Sequence, residues 1–112
     1  MCSGYIDMEL FGKLDIRVCR AVKVEPIPGK SRLYKVTVDL GSNLGTRIIV
    51  AGGAEHYKPN DLEGKLLIAL INMKPKNIGG VESMGMLLAA DVEGKPVWLT
   101  VMGEAPPGTK VR

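Results

Sequence analysis

The sequence predicts an all-β domain, five short strands curled into a barrel with one short helical element between the third and fourth. Three observations carry that expectation. Apolar residues recur at alternate positions, Gly, Pro and Asn punctuate them at intervals of roughly ten residues, and no stretch has the apolar period of a long amphipathic helix. At 112 residues the chain fits one domain. A hydrophobic fraction of 46% is enough for a packed core, which with one Phe and one Trp must be built from Val, Leu, Ile and Met.

In the first strand Leu14, Ile16, Val18, Val22 and Val24 alternate with Asp15, Arg17, Cys19, Ala21 and Lys23. Arg20 interrupts the series and marks a bulge, a strong bend or an edge, as happens where a long strand curls round a small barrel. Pro26, Pro28 and Gly29 end this strand, because proline cannot donate to a ladder and glycine suits a turn. Tyr34, Val36, Val38 and Leu40 form the second strand, closed by the loop Gly41-Ser42-Asn43-Leu44-Gly45. Residues 46–51 supply the third, which Gly52-Gly53 stops.

Ala54 to Leu62, with Pro59 inside, reads as a turn or two of helix. Lys65 to Met73 is apolar on both faces and should be the most buried strand, and Met86 to Ala90 is the fifth. Asp91 to Lys95 reads as a turn, Pro96 to Val101 as a further short strand, and Ala105-Pro106-Pro107-Gly108 as a rigid lead into Thr109 to Arg112. Five strands with a helix between the third and fourth suit an OB-fold, with residues 10–91 as barrel and 92–112 as a C-terminal β extension.

Charge is nearly balanced overall, with a net +3, but unevenly distributed. Arg17, Arg20, Lys23, Lys30, Arg32 and Lys35 share their segment with one acid, Glu25, and Lys65, Lys74 and Lys76 bracket an acid-free stretch. Brought together by the fold, these segments would make a positive face for a phosphate backbone. Left apart, they are an ordinary solvated surface.

Catalytic chemistry lacks its parts, so no enzyme and no cofactor are expected. His56 is the only histidine, and Cys2 and Cys19 have no companions at metal-ligand spacing, so both read as reduced thiols and a zinc site is excluded. Ser83 lacks the glycine two residues earlier that a nucleophile elbow needs, and no base accompanies it. The pairs Gly52-Gly53 and Gly79-Gly80 sit in no phosphate-loop pattern. The N-terminus does not read as a signal peptide, and the longest apolar run, Leu66 to Ile71, falls far short of the roughly 20 residues of a membrane span, so a cytoplasmic protein is expected.

The informative segment follows the fourth strand. Residues 72–86 place Lys74, Lys76, Asn72, Asn77 and Ser83 in what reads as a loop, cations for phosphates beside amide and hydroxyl groups that reach sugar or base edges. The same composition also suits a plain polar connection between strands.

Four blocks in this order carry a resemblance: Leu14-Asp15-Ile16-Arg17-Val18; Leu33-Tyr34-Lys35-Val36 with Val38-Asp39-Leu40-Gly41; Asn72-Met73-Lys74-Pro75-Lys76; and Gly80 to Ala90. From about residue 10 onward the chain resembles the tRNA-binding domain found at the C-terminus of many methionyl-tRNA synthetases and as freestanding proteins. The resemblance implies an OB barrel, recognition of tRNA shape at its outer corner, and a homodimer in which Pro96 to Val111 builds the contact. Val97, Trp98, Leu99 and Val101 would then be an apolar ribbon outside the barrel. The RNA-facing positions it implies are Lys35, Asn72, Lys74, Lys76, Ser83 and Met86, with Arg32 as an addition; Asn72 and Ser83 would set register on the RNA. Met84 stands where the family often has a polar residue, Cys19 where glycine is frequent, and Gly53 where a larger apolar residue is usual. The implied role is non-catalytic tRNA binding as an accessory or beta subunit of methionyl-tRNA synthetase. A related branch of the family, the secretion chaperones that bind peptides, supplies the alternative.

Overall fold

The computed structural model describes residues 4–112, so Cys2 lies outside the described residues. In order along the chain are α1 (Met8–Phe11), β1 (Ile16–Ile27), β2 (Lys30–Asp39), β3 (Thr46–Ala51), α2 (Pro59–Leu62), β4 (Leu66–Leu70), β5 (Lys76–Ile78), β6 (Val81–Ser83), β7 (Met86–Leu87), β8 (Ala89–Val92), β9 (Lys95–Trp98) and β10 (Lys110–Val111). The all-β class holds, and the short helix α2 falls between β3 and β4 as expected.

The main sheet is antiparallel in the order β3-β2-β1-β4-β7, with β10 added beside the start of β1. Its two ends are brought back together. The Met84 N–H donates to the Ile48 carbonyl at 2.9 Å and the Val50 N–H donates to Ser83 Oγ at 2.9 Å, so the chain just before β7 bridges to β3.

β1 differs from the expectation in two ways. It runs on through Pro26 to Ile27, paired with β2, and only Pro28 and Gly29 turn. Pro26 is tolerated because β4 accompanies β1 only from Ile16 to Arg20, so the far half of β1 has a single partner and the missing N–H breaks no second ladder. The register is also irregular at Val22, between Ala21 and Lys23, and again between Pro26 and Ile27, and not at Arg20. An extra residue at Val22 reverses the side-chain phase, so the main core takes Cys19 and Ala21 before it and Val24 after it, while Val22 is 47% exposed.

Two cores result. The larger lies inside the curled sheet, where Val36, Val38, Leu40, Ile49, Leu67 and Ala69 meet Cys19 and Ala21. The second lies on the other face of β1 and β4, where Ile16, Val18 and Ile68 are covered by Phe11 from α1 and by Val101, Ala105 and Val111. β4 is therefore buried on both faces, as its sequence implied.

The C-terminal segment is correspondingly not a free ribbon. β9 pairs with β8, so this hairpin crosses the 91/92 division, and the fifth strand is broken at Leu88 into β7 and β8. Trp98 packs on the main core beside Tyr57, their ring centroids 6.3 Å apart, and Val101 on the second. Val97 and Leu99 stay exposed. Gly53 explains its own departure from a larger residue, since a Cβ there would meet Pro96 Cγ at 2.9 Å and leave no room for this packing.

The last residues are clasped electrostatically as well. Asp15 accepts from Arg17 Nε at 2.6 Å and lies 3.7 Å from Lys110 Nζ, while Arg17 Nη1 donates to the Gly108 carbonyl. The hydrogen bond from Arg17, with the positive charges of Arg17 and Lys110, holds the Asp15 carboxyl below its ordinary value of 3.8. A depressed carboxyl stabilises the fold above its unfolded-state value and loses that contribution as pH falls through its folded-state value. Asp15→Asn is therefore expected to cost up to about 1 kcal/mol at pH 7, a penalty that fades below pH 3.8. Urea titrations of both proteins at the two pH values check this; a penalty that does not change with pH would remove the clasp from the account.

Candidate nucleic-acid interface

The segment 72–86, expected as a loop, contains the β5–β6 hairpin, in which Lys76 pairs with Ser83 and Asn77 with Glu82. Asn77 Oδ1 accepts from the Gly80 N–H, tightening the Gly79-Gly80 turn. A Cβ on Gly79 would sit 3.2 Å from Lys30 Cγ and 3.5 Å from Leu33 Cδ1, so the tip of this hairpin leans on the tip of the β1–β2 hairpin.

Between the β5–β6 hairpin and the end of β3 lies a cleft of about 360 Å³, lined by Leu33, Val50, Gly52, Met73, Lys74, Lys76, Ile78, Ser83, Gly85 and Met86. Lys76 and Ile78 reach it together because they share one face of β5, two residues apart. Lys74 and Lys76 are exposed, and among the described residues neither has a carboxylate oxygen within 4 Å. Such uncompensated cations at a cleft mouth favour an anionic ligand.

The remaining expected residues divide. Ser83 and Met86 line the same cleft, but Ser83 is only 3% exposed: its hydroxyl accepts from Val50 N–H and donates to the Gly85 carbonyl, so it builds the cleft wall. Lys35 is one strand away on β2, opposite Val50 on one side and Glu25 on the other. Arg32 lines a neighbouring pocket that shares Leu33 and Gly52 with the cleft, and pairs with Glu55 at 3.6 Å. Asn72 is outside the cleft, its Nδ2 donating to the Lys13 carbonyl and its Oδ1 accepting from Asp15 N–H, which fixes the entry into β1.

Of the basic residues in the Arg17–Lys35 segment, Arg17 and Arg20 are tied to backbone carbonyls and Lys23 and Arg32 to glutamates. Lys30 is exposed and lies beside Gly79, which brings a third cation to the hairpin. Met73, Ile78 and Val50 were not singled out from the sequence. The Asn77-Ile78-Gly79-Gly80 turn is the signal that could have found the hairpin and with it the Lys76/Ile78 face.

Burial pushes the Cys19 thiol up to about 12, so it stays protonated at neutral pH. Among the described residues no three of His, Cys, Asp and Glu gather at metal-binding distance.

Because Ser83 joins β3 to the Gly85 turn, Ser83→Ala is expected to leave the Val50 N–H without its acceptor and to cost roughly 1–3 kcal/mol. Denaturant titration checks the loss, and amide exchange at Val50 should accelerate in the variant; an unchanged rate there would assign the loss elsewhere.

Residues 16–110 match the family model described as "Putative tRNA binding domain". The chain is 48% identical over 106 residues to methionine–tRNA ligase from Archaeoglobus fulgidus and 43% identical over 106 residues to that of Thermotoga maritima. Each match covers 95% of this chain but only 16% of the ligase. Among solved structures, the MetRS related protein from Pyrococcus horikoshii is similar with a TM-score of 0.90 and 39% identity, covering 98% of this chain and all of that one. The chaperone CsaA from Bacillus anthracis aligns with a TM-score of 0.86 at 29% identity, over 97% of this chain and all of that one.

Proposed function

The chain belongs to the tRNA-binding domain family, and from that membership we propose that it captures folded tRNA without catalysing a reaction, meeting phosphates with Lys74 and Lys76. The observation that carries this reading is the pair of exposed lysines with no carboxylate within 4 Å, both at the mouth of one cleft. Lys30 and Lys35 extend the positive surface along the adjoining strands, and Arg32 adds to it when RNA competes for its contact with Glu55. No aromatic side chain lines the cleft, which favours a folded RNA over a stacked single strand.

The wider role is accessory. In the cytoplasm the protein raises the local concentration of tRNA for a synthetase, the methionyl enzyme being the candidate because a stretch of two such ligases is similar to this chain. A homodimer suits this role. Val97 and Leu99, which remain exposed beside the packed Trp98, offer apolar surface for a second copy, and two copies would double the cation surface. A peptide-binding role like that of the similar chaperones is the second reading, favoured by the exposure of Met73, Met84 and Met86 around the cleft.

A gel-shift titration of bulk tRNA at several salt concentrations separates the two. The intact protein is expected to bind with a strong salt dependence, and Lys74→Ala/Lys76→Ala to weaken binding and reduce the log–log salt slope by about 2, roughly one for each lost phosphate contact. Failure of the intact protein to bind at low salt would sink the tRNA reading and leave the peptide one.

A further inference from the structure

Resting on that reading, we infer that the cleft is a slot for one unstacked nucleobase of the bound RNA, accepted without regard to its identity. Its walls are apolar and compliant. Met73 and Met86, 46% and 43% exposed, line it together with Ile78 and Val50. Gly52 and Gly85 contribute backbone and no side chain to the lining of this cleft of about 360 Å³.

A thioether packs favourably against an aromatic ring, so methionine takes here the place that aromatic platforms hold in single-strand binders. The absence of readout follows from the hydrogen bonds. Discriminating bases needs free donors and acceptors facing the base edge; with Lys74 and Lys76 given to phosphates, the one polar side chain left in the lining is Ser83, whose hydroxyl is already engaged with Val50 N–H and the Gly85 carbonyl. Lys74 and Lys76 lie at the same mouth, placed for the phosphates that flank an extruded nucleotide. That charge selects a polyanionic chain over an apolar peptide as the occupant.

Gly52 supplies a clean blocking variant. It does not have a positive φ, and a Cβ there would meet only the Arg32 carbonyl oxygen, at 4.0 Å, so Gly52→Leu adds bulk at the cleft lining without backbone strain. The test combines tRNA affinity with NMR of the methionine methyl groups in the full chain. On adding tRNA, the Met73 and Met86 methyl signals should move upfield by the ring current of an inserted base, while ribose 5-phosphate, which has no base, leaves them in place.

Gly52→Leu should lower tRNA affinity about tenfold with the salt slope unchanged, and its thermal melt reports whether it folds. tRNA binding with unmoved Met73 and Met86 methyls overturns the slot while leaving phosphate capture standing. No tRNA binding by the intact protein at low salt removes both. An apolar peptide that moves these methyls when tRNA does not assigns the cleft to peptide and overturns the slot too.

Discussion

Gly108→Ala is expected to release the C-terminal segment from the domain and to cost several kcal/mol. Gly108 has a φ of +94°, a conformation that costs an L-residue roughly 1–2 kcal/mol. The larger part is steric. A Cβ on Gly108 would run into the Leu40 carbonyl oxygen, and one on Gly41 would lie 2.6 Å from the Pro107 carbonyl oxygen, so the two glycines let backbones pass in contact. Neither obstacle is a flexible side-chain end that could swing aside.

Relief requires residues 106–112 to lift. That movement breaks the Gly108 N–H to Val18 bond, the Val18 N–H to Thr109 bond and the β1–β10 pairing, and it uncovers Val111 and Val18. Gly29→Ala is the control, since Gly29 also has a positive φ, +78°, but a Cβ there meets nothing within 4 Å. The control should lose about 1 kcal/mol, and Gly108→Ala markedly more, with fast amide exchange at Val18. Equal losses for the two variants would mean that the close approach of the backbones is unimportant.

Ile49→Ala should destabilise the main core by roughly 2–5 kcal/mol, the range for removing a large aliphatic side chain from a packed interior. Ile49 is fully buried on β3, and its Cδ1 lies 3.2 Å from where a Gly85 Cβ would stand. It therefore fills the core from one side and supports the cleft lining from the other. Denaturant titration measures the stability loss. tRNA titration of the folded variant is expected to show weaker binding with an unchanged salt slope, since no cation is removed. A loss below about 1 kcal/mol would mean that the sheet collapses around the missing side chain.

The cleft illustrates the limit of reading by residue type. Lys74 and Lys76 were legible because each lies in a polar segment directly beside a buried strand, Met86 only through the family resemblance, and all three line the cleft. Ser83 and Asn72 looked equally suited to RNA, yet their polar groups are consumed by Val50, Gly85, Lys13 and Asp15. Asn72 lies 59 and 57 residues from its two partners, a separation no local pattern encodes. A hydroxyl or amide reads the same in sequence whether its hydrogen bonds go to a ligand or to the backbone.

The residue pattern was sufficient for the β class, the alternation of Tyr34, Val36, Val38 and Leu40, the two-faced burial of β4 and the helical turn at Pro59, because each depends on neighbours a few residues away. The family was legible for a similar reason, its motifs being contiguous blocks. Tertiary structure alone decided the phase of β1 beyond Val22, where a bulge exchanges the inner and outer faces, and the fate of Trp98 and Val101, which fold back on two cores. It also decided which lysines stay unpaired, since a cation's partner is set by whichever carboxylate or carbonyl the fold brings within a few ångströms of it.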